Sequence, residues 1–119
     1  MSDDFFSYSS RDAVTVERNG VEVVMKPMNP AQFALYDTAR GNMAKSAIFA
    51  DKKLEYINPD YSGKFASVSR ELVLACVESI GGVELTADMY DGMRYEAQVW
   101  LVDQLEGIST LQGADKVGL

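Results

Sequence analysis

From Val14 to Met25 the apolar positions alternate: Val14 and Val16, then Arg18-Asn19-Gly20-Val21, then Val23 and Met25. A period of two marks strands with one buried face. Asn-Gly is the favoured two-residue hairpin turn, because both central positions take a positive φ. The register this predicts pairs Val16 with Val23 and Val14 with Met25, and sets Glu17 opposite Glu22 toward solvent. A two-stranded ribbon is marginal alone in water, so its apolar face must lie on helices or on another subunit.

The period then changes to that of a helix. Asn29-Pro30-Ala31-Gln32 has the features of a helix start: Asn29 as N-cap, Pro30 where a missing N–H costs nothing, and Gln32 in the capping-box position. Phe33, Tyr36, Arg40, Met43 and Ala47 recur at helical spacing, which predicts a first helix to about Ala50, weakened near Gly41, with Arg40 snorkelling from its stripe. Residues 51–62 form a polar connection carrying Leu54, Tyr56 and Ile57, longer than the usual link. A second helix is expected from about Gly63 to Ile80, with Phe65, Val68, Leu72, Cys76 and Ile80 on one stripe and Gly81-Gly82 as its stop. After a short extended piece from Val83 to Leu85, Thr86 can cap a third helix whose stripe includes Met89, Met93, Trp100, Leu101, Leu105 and Ile108.

These elements predict an α+β, mainly α fold, an N-terminal β-hairpin followed by about three helices. The expected organisation is an N-terminal arm over residues 1–12, aperiodic and acidic with Phe5, Phe6 and Tyr8 interspersed, a single domain over 13–109, and a C-terminal tail over 110–119. The arm's aromatics leave open its docking on a neighbouring copy. A chain of 119 residues suits one domain.

Composition narrows the chemistry. A net charge of −7 disfavours nucleic acid and anionic membrane surfaces. No apolar run approaches the ~20 residues of a membrane span and no basic region precedes an apolar one near Met1, so a cytoplasmic protein without a membrane partner is expected. With one cysteine and no histidine, the chain cannot form an internal disulfide, a Cys–His or Ser–His–Asp nucleophile, or a zinc site of Cys/His type. Cys76, between Ala75 and Val77, has the setting of a small core hydrophobe. Asn58, Asp60 and Ser62 before Gly63 imitate the first half of a calcium loop, but Ser69 stands where a bidentate glutamate belongs and Pro59 intrudes. Asp88 and Asp91 share a helix face while Glu96 lies elsewhere, and the spacing suits a solvated helix start better than an acid–base pair. Lys45, Lys52, Lys53 and Lys64 make a thin basic zone among acids, a solubilising surface or a site for an acidic segment. No catalytic, metal or cofactor residues are expected, and the chain is not read as an enzyme.

What the pattern leaves over is apolar surface. Val73, Leu74 and Val77 flank the second helix's stripe, Tyr90, Val99 and Val102 that of the third, and methionines supply adaptable side chains. Val73, Val77, Tyr90, Val99 and Val102 are therefore the candidate partner or self-association surface, and a homo-oligomer is expected.

The order of these features, a valine hairpin ending in KPMNPAQF, a loop, then SRELVLACVESIGGVELTADMYDGM and the Trp100 helix, resembles the small tail assembly chaperones of long, non-contractile-tailed phages of the lambdoid siphophage type. The likeness covers most of residues 14–111, with the "R-x-L-V-x-x-C-V" and "G-V-x-L-T-x-x-D/M" pieces as its markers. It implies a non-enzymatic holdase that coats the tape measure protein while tail tube subunits assemble, and that leaves before the tail is finished. It also implies that a frameshifted longer form could contact the tail tube protein. A small structural virion protein, such as a head–tail connector or tail completion protein, and a bacterial adaptor or regulatory module binding a ligand between helices are the alternatives.

Overall fold

A computed structural model of the chain describes residues 13–50, 53–56 and 58–116. The arm expected over 1–12 and the last residues of the tail lie outside these. The fold is α+β and mainly helical, as the periodicity predicts. Strands β1 (Val14–Arg18) and β2 (Val21–Met25) form the expected hairpin in the expected register, with Val14 opposite Met25, Val16 opposite Val23 and Glu17 opposite Glu22. Asn19 and Gly20 both take positive φ, 53° and 80°, as a two-residue turn of this hand requires. Helix α1 (Pro30–Lys45) starts as its residues dictate: the Asn29 side chain accepts from the Gln32 backbone N–H at 2.8 Å, and the Gln32 side chain accepts from that of Asn29 at 2.9 Å. It stops at Lys45, short of Ala50, because residues 48–50 instead form β3 (Ile48–Ala50), paired antiparallel with β4 (Lys53–Tyr56).

The second helix differs more. It begins earlier and ends earlier, as α2 (Pro59–Cys76), with Asn58 as N-cap accepting from the Asp60 backbone N–H and Pro59 in its first turn. The calcium-loop imitation is thus a helix start. Val77–Ile80, expected as the last helical turn, is strand β5, joined through Gly81-Gly82 to β6 (Val83–Glu84). Gly81 and Gly82 have φ of 60° and 81°, so the pair is a hairpin turn, not a helix stop. One sheet therefore runs in the order β1-β2-β5-β6, all antiparallel. Glu78 is the extra residue of a bulge between the Val24–Ser79 and Met25–Val77 pairs. The unplaced face of the N-terminal hairpin is covered from within the same chain.

The third helix is also divided. Thr86 caps α3 (Ala87–Asp91) by accepting from the Met89 backbone N–H at 3.2 Å. The chain breaks at Gly92, where a Cβ would come within 3.3 Å of the Asp88 carbonyl oxygen. It restarts as α4 (Tyr95–Lys116), whose first turn is built on the Arg94 carbonyl. Because α4 continues to Lys116, the boundary expected at 109 falls inside a helix.

The core joins the sheet to α1, α2 and α4. Met25 and Val73 are fully enclosed, and Val23, Met28, Tyr36, Leu72, Cys76, Val77, Leu101 and Leu105 pack with them. Cys76 is buried as its sequence setting suggests. One polar tie links the strand-to-helix connection to α4: Ser109 Oγ accepts from the Met28 backbone N–H at 2.9 Å and donates to the Leu105 carbonyl at 2.6 Å. This satisfies a buried N–H that neither sheet nor helix can reach. No helix among the described residues is long and apolar enough to cross a membrane.

Candidate functional site

The apolar surplus divides between interior and surface. Val73 is 0% exposed, and Val77 and Tyr90 are buried as well. Val73 and Val77 belong to the chain's own core and are withdrawn from the candidate partner surface, while Tyr90, though buried, lines the groove described next. The reason is the sheet: once Val77–Ile80 becomes a strand against β2, the flank of α2 that a bare three-helix arrangement would leave bare is covered. Val99 and Val102 have the other fate. Val99 is 38% exposed and Val102 half-buried, and both line a groove of about 490 Å³ between α2 and α4.

The groove is built from helix spacing. Val99 and Val102, three apart on α4, share a face. Phe65 and Ala66 face them from α2, and Tyr36 and Met43 of α1 close one side. Tyr95, one turn before Val99, is 78% exposed at the mouth, a large apolar ring that the stripe of Trp100 and Leu101 did not single out. Its signal was available: Tyr95, Val99 and Val102 repeat at i, i+4, i+7, a second stripe beside the first.

Polar groups frame this apolar wall. At one edge Arg70 makes a two-pronged pair with Asp91, Nε to Oδ1 at 2.8 Å and Nη2 to Oδ2 at 3.1 Å, tying α2 to α3. The Arg70 guanidinium holds the Asp91 carboxyl below its ordinary range. Asp88, Asp91 and Glu96 therefore do not form a set: Asp91 is engaged with Arg70, and no group of three acidic or cysteine residues among the described residues is placed to hold a metal. At the other edge the Tyr36 hydroxyl donates to Glu106 Oε1 at 2.5 Å, and Arg40 Nη1 donates to the same oxygen at 2.8 Å. Burial first, and then the adjoining Glu106 carboxylate, push the Tyr36 phenol well above its usual range. Arg40 thus does more than snorkel, pairing with Asp37 as well as Glu106. Gln98 closes the floor by donating to the Tyr90 carbonyl at 2.7 Å. Ser69 Oγ, also lining the groove, is buried without a hydrogen-bond partner among the described residues.

A second groove, of about 380 Å³, lies between the turn of the β1–β2 hairpin and the start of α4, with Trp100 in its wall. The Arg18 guanidinium stands over the indole, 5.9 Å from the ring centroid. Of the thin basic zone, Lys52 lies outside the described residues, Lys53 opens β4, and Lys45 at the end of α1 and Lys64 in the second turn of α2 are exposed on different helices.

No protein-family model, characterised protein or solved structure matches this chain.

Proposed function

We propose that this protein is a non-enzymatic assembly chaperone of the phage tail type, holding the tape measure protein soluble during tail morphogenesis and absent from the finished virion. The observation that supports it is the groove between α2 and α4: a partly open apolar wall of Phe65, Val99, Val102 and Tyr95 on an otherwise acidic protein. A channel between two helices, flanked by ion pairs, suits one apolar stripe of an amphipathic client helix. The Met43 side chain in its wall can adapt to varied side chains, and the net charge of −7 keeps the loaded protein dispersed. Self-association through the same exposed stripe, and contact with the tail tube protein through a frameshifted longer form, belong to this reading.

Co-expression with the candidate tape measure protein tests it. The wild-type chain should move that protein into the soluble fraction and co-purify with it, and Val99→Asp with Val102→Asp should abolish both while leaving the fold intact. A tape measure protein equally soluble with and without this chain would refute the proposal. So would abundant peptides of this chain in purified mature tails, which would favour a structural virion component.

A further inference from the structure

Ser62, Ser109 and Thr110 each donate their hydroxyl to a carbonyl one turn back in their own helix, to Pro59 at 3.2 Å, Leu105 at 2.6 Å and Glu106 at 2.9 Å. That is the usual way for a serine or threonine inside a helix to satisfy its O–H. Ser69, in the body of α2, does not follow it. Its Oγ is enclosed and has no hydrogen-bond partner, the only buried side-chain oxygen or nitrogen among the described residues in that state. The residue is 5% exposed, yet it lines the groove between α2 and α4. A buried hydroxyl left without a partner destabilises the fold that holds it, and native proteins keep few of them.

The surroundings narrow what completes it. At the edges of the groove Arg70 is satisfied by Asp91, and Tyr36 and Arg40 by Glu106, while Gln98 is held by the Tyr90 carbonyl. Asp103, also on the rim, is exposed and keeps its water. Between these edges Phe65, Val99 and Val102 make the wall apolar. A charge brought against that wall loses its hydration, whereas a neutral polar group gives up far less and still matches a hydroxyl. Resting on the reading of this groove as the client site, we propose that the client helix carries one neutral polar side chain, a hydroxyl or a carboxamide, within its apolar stripe, and that this side chain completes the hydrogen bonding of Ser69. The Ser69 hydroxyl sits on a single torsion, so it turns to a group entering beside Phe65 and either donates or accepts. The bond sets register. Apolar contacts have no direction, and a stripe of them can slide along a groove by a turn, but one buried hydrogen bond is made at one position only. Ser69 is therefore a specificity-determining residue of the client site, and the free chain is less stable for keeping it.

Two measurements on the full chain test this. Urea denaturation without any client should show that Ser69→Ala keeps or raises the midpoint, in contrast to Ser109→Ala, which lowers it. A lowered midpoint for Ser69→Ala would mean that the hydroxyl is already used inside the chain, and would overturn the proposal. For binding, the probes are overlapping fluorescein-labelled peptides covering the candidate tape measure protein, titrated by anisotropy. Those that bind should carry one Ser, Thr, Asn or Gln with apolar residues three or four positions to either side. Against the tightest of them Ser69→Ala should weaken binding about three- to tenfold. Replacing the peptide's polar residue by alanine should weaken it equally for the wild-type chain and no further for Ser69→Ala. Equal binding by wild type and Ser69→Ala, to a peptide that Val99→Asp with Val102→Asp no longer binds, would overturn this inference and leave the client groove standing. Tight binding of peptides whose stripes are wholly apolar would do the same. A wild-type chain that binds none of the peptides would overturn the proposed function, and this inference with it.

Discussion

Tyr36 ties α1 to α4 across 70 positions of sequence, and Tyr36→Phe isolates that tie. The ring is 4% exposed and rests against Phe33 and Phe65, with centroids 6.4 and 5.5 Å away, contacts that phenylalanine keeps. What is lost is a 2.5 Å hydrogen bond to a carboxylate. Hydrogen bonds to charged groups contribute about 1.5–3 kcal/mol. Glu106 is one-third exposed and retains Arg40, so no acceptor is stranded and the cost falls at the lower end, about 1–2 kcal/mol. Glu106→Gln also removes a half-exposed ion pair, which adds only about 0–1 kcal/mol. In a urea-denaturation cycle of the two substitutions the coupling should be about 1 kcal/mol. Alkaline pH gives a second reading. An unfolded tyrosine ionises near pH 10, whereas the folded Tyr36 phenol holds its proton to a higher pH. The stability this confers is complete below about pH 10 and is lost as pH rises beyond it. The wild-type chain should therefore lose stability faster than Tyr36→Phe above pH 10. A coupling below about 0.3 kcal/mol, with parallel alkaline curves, would refute the role given to this bond.

The division of the apolar surplus is checked by two valines: Val73→Ala should cost about 1.5–3 kcal/mol in urea, two buried methyls plus a cavity, and Val99→Ala less than about 0.5 kcal/mol. Equal effects would mean the core and groove assignments are wrong. Ser109→Ala strands the Met28 backbone N–H and should destabilise by about 1–3 kcal/mol, whereas Thr110→Ala, whose hydroxyl bonds an exposed carbonyl one turn back, should be close to neutral. Asp91 has a lowered carboxyl pKa, so its contribution is present above the ordinary aspartate range near pH 4 and is lost as pH falls through the lower folded value. Asp91→Asn should flatten the acid limb of a thermal-melt series over that window.

Local chemistry was legible wherever neighbours in sequence decide it. The β1–β2 register follows from alternation and one Asn-Gly turn, the start of α1 from Asn29, Pro30 and Gln32, and the start of α3, though not its early end, from Thr86. The segment Val77-Glu78-Ser79-Ile80-Gly81-Gly82-Val83 was ambiguous by nature. Its valines and isoleucine continue the helical stripe of α2, yet they also flank a two-glycine turn, and β-branched residues serve either state. What settles it is a partner about fifty positions away or more: Gly81 donates to the Glu22 carbonyl at 2.7 Å, and Lys26 to that of Cys76 at 2.9 Å. A periodicity over a dozen residues carries no information about such a bond.

The candidate site divides along the same line. Val99 and Val102 were legible as a flank of α4, because i, i+3 spacing fixes a face whatever that face meets. Whether the face is covered is a different matter, for it depends on which element packs beside it. Tertiary packing enclosed Val73, Val77 and Tyr90 and left Val99 and Tyr95 open. Which residues share a face follows from the order of residues alone, through the fixed rise and twist of helix and strand. Which faces are hidden, and which carboxylate meets which arginine, depends on packing, because it joins elements from distant parts of the chain.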